Sequence, residues 1–96
     1  MIKQNIVDNV SENTGLTKVE VEAVLNESFS QIINALSRNE RIELRGFGTF
    51  AVKHRMPKKA RNPATGDPVY LAERYVPTFK PSKLMKKSVN DSLIEY

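Results

Sequence analysis

Residues 41–55 read "RIELRGFGTFAVKHR", and the fold turns on their period. Ile42 and Leu44 alternate with the charged Arg41, Glu43 and Arg45; beyond "GFG" the alternation resumes, with Phe50, Val52 and His54 on one side of a strand. A period of two marks strands rather than helix, so the stretch predicts an antiparallel hairpin. "GFGTFA" also has the letters of a dinucleotide-binding fingerprint, G-x-G-x-x-A. That fingerprint must open a helix whose N-terminus holds a pyrophosphate, and the strand period of Thr49 to Arg55 excludes it. Gly46 and Gly48 therefore read as turn and close-packing glycines, and Phe47 and Phe50 as core.

Downstream, Pro57 cannot donate to a sheet ladder, which leaves the continuing strand at an edge or in a free ribbon. "PVYLAERYV", residues 68–76, is again strand-like and can return beside it, with Asn62 to Gly66 as the reversal. Lys53 to Tyr75 thus predicts a two-stranded arm, whose tip segment "KKARNPATGDP" has no large apolar side chain. Two-stranded ribbons are marginal alone in water, so such an arm is built to lie on something.

Upstream, Ile2, Ile6 and Val10, with Val7 beside them, mark a short helix that "NTG" stops at Gly15. Thr17 and Glu20 form a capping box, with Leu16 placed to staple onto Val21. A second helix then carries Val21, Leu25, Phe29, Ile32 and Leu36 on one face as far as "SRNE". After "VPTFKP", Ser82 caps a last helix whose Leu84, Met85, Val89 and Leu93 share a face. The class is α+β, and 96 residues with 40% hydrophobic content make a single domain over 1–96.

The net charge of +4 is unevenly spread. Residues 1–52 hold five Lys/Arg against seven Asp/Glu, residues 53–87 ten against two, and residues 88–96 none against two. A basic block of this kind predicts a polyanionic partner, nucleic acid before membrane, because interleaved prolines and strand flanks argue against a basic amphipathic helix. A single-stranded RNA-binding module would need stacking aromatics, and Tyr70 and Tyr75 are the only ones on the arm. With no cysteine and one histidine, neither disulfides nor a zinc site can be assembled, and no cofactor or small-molecule substrate is expected. His54 has no acid or cysteine at catalytic spacing and reads as a ribbon side chain near phosphate. The N-terminus lacks a signal-peptide core, so the chain reads as cytoplasmic, and the sequons at Asn9, Asn26 and Asn90 as chance.

"GFGTF" at 46–50, "ARNPATG" at 60–66 and "VPTFKPSKLMK" at 76–86, in this order and spacing, closely resemble the histone-like HU and integration host factor family of bacterial DNA-binding proteins. The resemblance covers residues 1 to about 90. It implies an intertwined dimer, homodimeric or with a paralogue, having a helical body, a small antiparallel sheet and two β-ribbon arms (here 53–75) that wrap the minor groove of double-stranded DNA in the nucleoid. It also implies that Pro63 at the arm tip enters between base pairs and kinks the duplex, as is general for architectural proteins of this kind. On the arm, Arg55 and Arg61 are expected to face the groove, Lys53, Lys58 and Lys59 to meet phosphates, and Asn62 to bind DNA beside the proline. On the body, the expected contacts are Lys3, Lys18, Arg45, Gly46, Lys80, Lys83 and Lys86, with Lys83 favoured by its place in the first turn of a capped helix.

Three departures stand out. Ala60 replaces the usual glycine before "RNP", Ser82 replaces the glycine after "FKP", and "SVNDSLIEY" at 88–96 forms an acidic, partly apolar helix end or tail without an assigned role. "RIELRGFG" is nearer to the β subunit of integration host factor than to typical HU, so a sequence-preferring bender is the alternative to a nonspecific packer; Arg41, Glu43 and Arg45 otherwise form a surface charge ladder. The expected function is architectural, bending and compacting DNA without covalent chemistry, rather than enzymatic.

Overall fold

The computed structural model describes residues 1–94; the last two positions of the predicted tail lie outside the described residues. The chain divides into two compact units, Met1–Ala35 and Leu36–Tyr96.

The first unit holds α1 (Lys3–Thr14) and most of α2 (Lys18–Ser37). Gly15 ends α1 in the left-handed region, at φ 78°, and its N–H donates to the Ser11 carbonyl at 3.0 Å. The capping box forms as expected: the Glu20 N–H donates to Thr17 Oγ1 at 3.1 Å, and the Thr17 N–H donates back to Glu20 Oε1 at 3.4 Å. Val7 and Val21 are buried. The buried position of α1 is therefore Val7, whereas Ile2 and Ile6 on the expected stripe stay exposed. Two helices meeting alone cover only a narrow strip of each other.

In the second unit, β1 (Ile42–Leu44) pairs antiparallel with β2 (Gly48–Arg55), and β2 with β5 (Arg74–Pro81), giving the order β1-β2-β5. β1 reaches only as far as Phe50, so the rest of β2 has β5 as its sole neighbour. β3 (Lys58–Arg61) and β4 (Pro68–Leu71) form a second antiparallel pair. Met56 and Pro57 interrupt the outgoing strand and Ala72 and Glu73 the returning one. Arg55 pairs with Arg74 before this gap and Lys58 with Leu71 after it, so both strands advance equally and no bulge intervenes. The sequence read the strand as running on past Pro57; the ladder instead lapses there, since proline has no N–H to donate.

Gly48 is buried where β1, β2 and β5 meet, opposite Leu44 and Pro81. A methyl group there would stand 2.7 Å from the Lys80 carbonyl oxygen and would overlap the Phe79 ring. Phe79 in turn packs on Phe50 and Phe47, with ring centroids 4.8 and 5.5 Å apart. Phe47, expected in the core, joins this cluster by one side only and remains half exposed, because it sits on a turn at the edge of the sheet.

Candidate nucleic-acid interface

Successive side chains of a strand point to opposite faces, so the register sorts the ribbon into two sides. Lys53, Arg55, Lys59 and Arg61 on the outgoing strands share one face with Arg74 and Lys80 on β5. Nearer the sheet the same face is floored by Thr49, Ala51 and Thr78, small residues that leave a shallow hollow bordered by Arg41, Lys53 and Lys80. The opposite face carries Phe50, Val52, His54, Met56, Ala60, Val69, Leu71, Glu73 and Tyr75, and is the apolar one. Ala60 and Leu71, both half-buried, belong to it.

This sorting separates residues that the sequence grouped. Lys58 lies opposite Leu71 on the apolar face, unlike Lys53 and Lys59. Arg74, which no motif singled out, lies directly across from Arg55. The signal that finds it is the exact register: the loop closes between Asn62 and Asp67, whereas a reversal over all of Asn62 to Gly66 would have set Arg55 against Glu73. Glu43, opposite Thr49, puts one carboxylate at the root of the cationic face. Farther out, the acids of the ribbon are Glu73 and Asp67. Glu73 is on the other face, where its Oε1 stands 2.7 Å from His54 Nε2, and the His54 ring stacks on Tyr75 with centroids 4.8 Å apart. His54 thus has the acid neighbour that sequence spacing did not reveal. Their separation of 19 residues is closed by strand pairing.

The tip is a closed four-residue loop. The Asn62 N–H donates to the Asp67 carbonyl at 2.8 Å, and the Gly66 N–H to the Asn62 carbonyl at 2.7 Å. Asn62 Oδ1 accepts from the Ala64 N–H at 2.9 Å, an Asx turn that bridges Pro63, and Gly66 supplies the positive φ of 76°. Asn62 is therefore an organiser of the tip. Pro63 is exposed, and its lack of an N–H leaves no ladder bond unmade.

The turn after β1 and the start of α3 (Lys83–Leu93) are tied together. The Phe47 N–H donates to the Leu44 carbonyl at 2.9 Å, and Gly46 has φ 81°. The Ser82 N–H donates to the Phe47 carbonyl at 2.9 Å and its hydroxyl to the Gly46 carbonyl at 3.0 Å, while Ser82 Oγ caps the Met85 N–H at 3.0 Å. Arg45 and Gly46 are thereby held beside the N-terminus of α3, with Lys83 and Lys86 exposed on its first two turns. In the first unit, Lys3 Nζ donates to Asn26 Oδ1 at 2.9 Å, and Lys18 pairs with Asp8 at 3.4 Å. The Gln4 amide, bonded to Asp8 at 2.9 Å, and then Lys18 hold the Asp8 carboxyl below the usual carboxylate range.

Among the described residues no helix is long and apolar enough to cross a membrane, and no three His, Cys, Asp or Glu side chains gather as metal ligands. The sequence model of the bacterial DNA-binding protein family matches residues 1–90. The chain belongs to that family. Among solved members, the HU protein of Anabaena, crystallised with DNA, is 35% identical, with a TM-score of 0.85 over 93% of this chain and 97% of that one. An HU variant from Thermotoga maritima is 30% identical, with a TM-score of 0.71 over 93% and 99%. A mutant of transcription factor 1, solved in solution, is 26% identical, with a TM-score of 0.63 over 97% and 93%. The α+β fold is thus that of HU, and Asp91 onward extends beyond the family match.

Proposed function

We propose that this member of the family binds double-stranded DNA as a dimer, lays its ribbons in the minor groove and bends the duplex, working as an architectural protein of the nucleoid without covalent chemistry. The observation that carries the reading is the face on which Lys53, Arg55, Lys59, Arg61 and Arg74 follow one another with no acid among them. An exposed ribbon with one cationic side and a proline tip suits backbone neutralisation along a groove followed by a wedge. Lys58, on the other side, adds attraction only within about a Debye length, ~8–10 Å. Lys83 and Lys86 in the first turns of α3, behind the Ser82 cap, suit a flanking phosphate, and Lys3 and Lys18 serve the same role from the first unit.

A second chain is called for by what one chain leaves uncovered. Val24, Phe29, Phe47, Leu84, Val89 and Leu93 are each at least 42% exposed, more apolar surface than a soluble monomer of this size usually leaves in water. Binding to random duplex, nicked duplex and a candidate preferred site, compared over a salt series, tests the reading. A log–log slope of about −5 or steeper with nicked duplex favoured is the expected outcome; a slope shallower than about −2 means that the basic face remains solvated.

A further inference from the structure

Arg55 and Arg74 stand directly opposite each other on the cationic face. Like charges at opposed positions of an antiparallel pair repel, and the Cβ atoms of such a pair are only about 4.5–5.5 Å apart. Lys53, two residues before Arg55, adds a third cation on the same side. Among the described residues neither guanidinium has a carboxylate partner. The acid closest in sequence, Glu73, is on the far face and bound to His54, and Asp67 lies beyond β4 in the tip loop, seven residues from Arg74. The other neighbours on this face of the returning strand, Val76 and Ala72, offer no charge.

A repelling pair that the fold brings together and leaves without a counterion is a site awaiting an anion. Two guanidinium forks carried by directly opposed residues can converge on the oxygens of a single phosphate, to which each can donate two parallel hydrogen bonds. We propose that Arg55 and Arg74 act as one clamp, gripping the same phosphodiester group of a duplex strand, which makes Arg74 a DNA-binding residue of this chain. The inference rests on the DNA-binding reading above and deepens it. Binding replaces the repulsion with two attractions to a shared group, so the two arginines depend on each other.

That dependence is what the experiment reads. Duplex affinity is measured at one salt concentration for the full chain, Arg55→Gln, Arg74→Gln, the double variant and Arg74→Lys. Each single glutamine variant is expected to weaken binding by roughly tenfold or more, as for loss of a charged hydrogen bond. The double variant should lose less than the product of the two single losses, by at least about threefold, since either substitution already breaks the clamp. Arg74→Lys keeps the charge without the fork and should recover only part of the affinity. Thermal midpoints at low salt should be equal or higher in Arg74→Gln, because repulsion is removed, and this separates a binding loss from a folding loss. A double variant whose loss equals the product overturns the shared clamp, as does Arg74→Gln binding within twofold of the parent. If the parent itself shows no salt-sensitive duplex binding, the DNA reading falls and the clamp with it.

Discussion

Gly48→Ala tests how tightly the sheet that roots the ribbon is built. The added methyl would sit 2.5 Å from Phe79 Cζ and 2.7 Å from the Lys80 carbonyl oxygen. Ordinary carbon contacts settle at about 3.5–4.0 Å, so these neighbours must retreat by roughly 1 Å. The Phe79 ring can turn aside only by leaving Phe50 and Phe47, its partners at 4.8 and 5.5 Å. The Lys80 carbonyl cannot turn aside at all, since Lys80 is paired with Thr49 in the β2–β5 ladder. Overpacking of this kind costs typically about 1–3 kcal/mol, and disturbance of the aromatic contacts adds about 0.5–1.5 kcal/mol. The entropic gain of replacing glycine by alanine, about 0.4–1 kcal/mol, opposes this but is smaller. A net loss of about 1–4 kcal/mol is a large share of a stability of about 5–15 kcal/mol. At about 4–8 °C per kcal/mol for a domain of this size, Tm should fall by ~5–30 °C. Circular dichroism melts at equal protein concentration provide the measurement. Adding Phe79→Leu should restore little, because the backbone oxygen remains in the way. A Tm within about 3 °C of the parent would refute the reasoning.

Pro63→Ala should reduce the bend angle, read by energy transfer between duplex ends, while affinity falls by less than about tenfold, ~1.4 kcal/mol; an unchanged angle makes Pro63 a turn residue only. Ser82→Ala removes both the Met85 cap and the bond to Gly46, and should cost about 0.5–2 kcal/mol in chemical denaturation; no change in midpoint would mean that neither bond matters. Asp8→Asn should strengthen duplex binding at neutral pH by releasing Lys18, and identical affinities would show that Lys18 takes no part. Because the Asp8 carboxyl is depressed, the contribution of this pair to stability is present at neutral pH and lost only as the pH falls through that lowered value, below the usual carboxylate range. Sedimentation should give a dimer at micromolar concentration, and a folded monomer independent of concentration would remove the intertwined arrangement from the reading.

What could be read from the sequence was local. Gly15, the Thr17–Glu20 box and Ser82 announce helix ends through signals a few residues long, and each acts as expected. The reversal around Asn62 to Gly66 and the free-ribbon position of Pro57 were legible for the same reason. Features that depend on a distant partner were not. Glu73 meets His54, Phe79 confines Gly48, and Arg74 faces Arg55 only once two strands are in register. The split between Lys58 and Lys59 was available from strand parity alone, but charge density drew them together. Val7 outranks its neighbours in α1 because burial depends on where the second helix lies, which the spacing of apolar residues leaves open.

The gap at Met56–Pro57 and Ala72–Glu73 acts as a knuckle. The ladder lapses on both strands at once and resumes with the same partners, so the outer segment can flex against the inner one without changing which side chains look out from either. A bulge would have bent the ribbon in a fixed direction and added twist. An in-phase gap instead leaves the cations of both segments on one face, a hinge at which an arm laid on a curved partner would yield while keeping that face turned toward it.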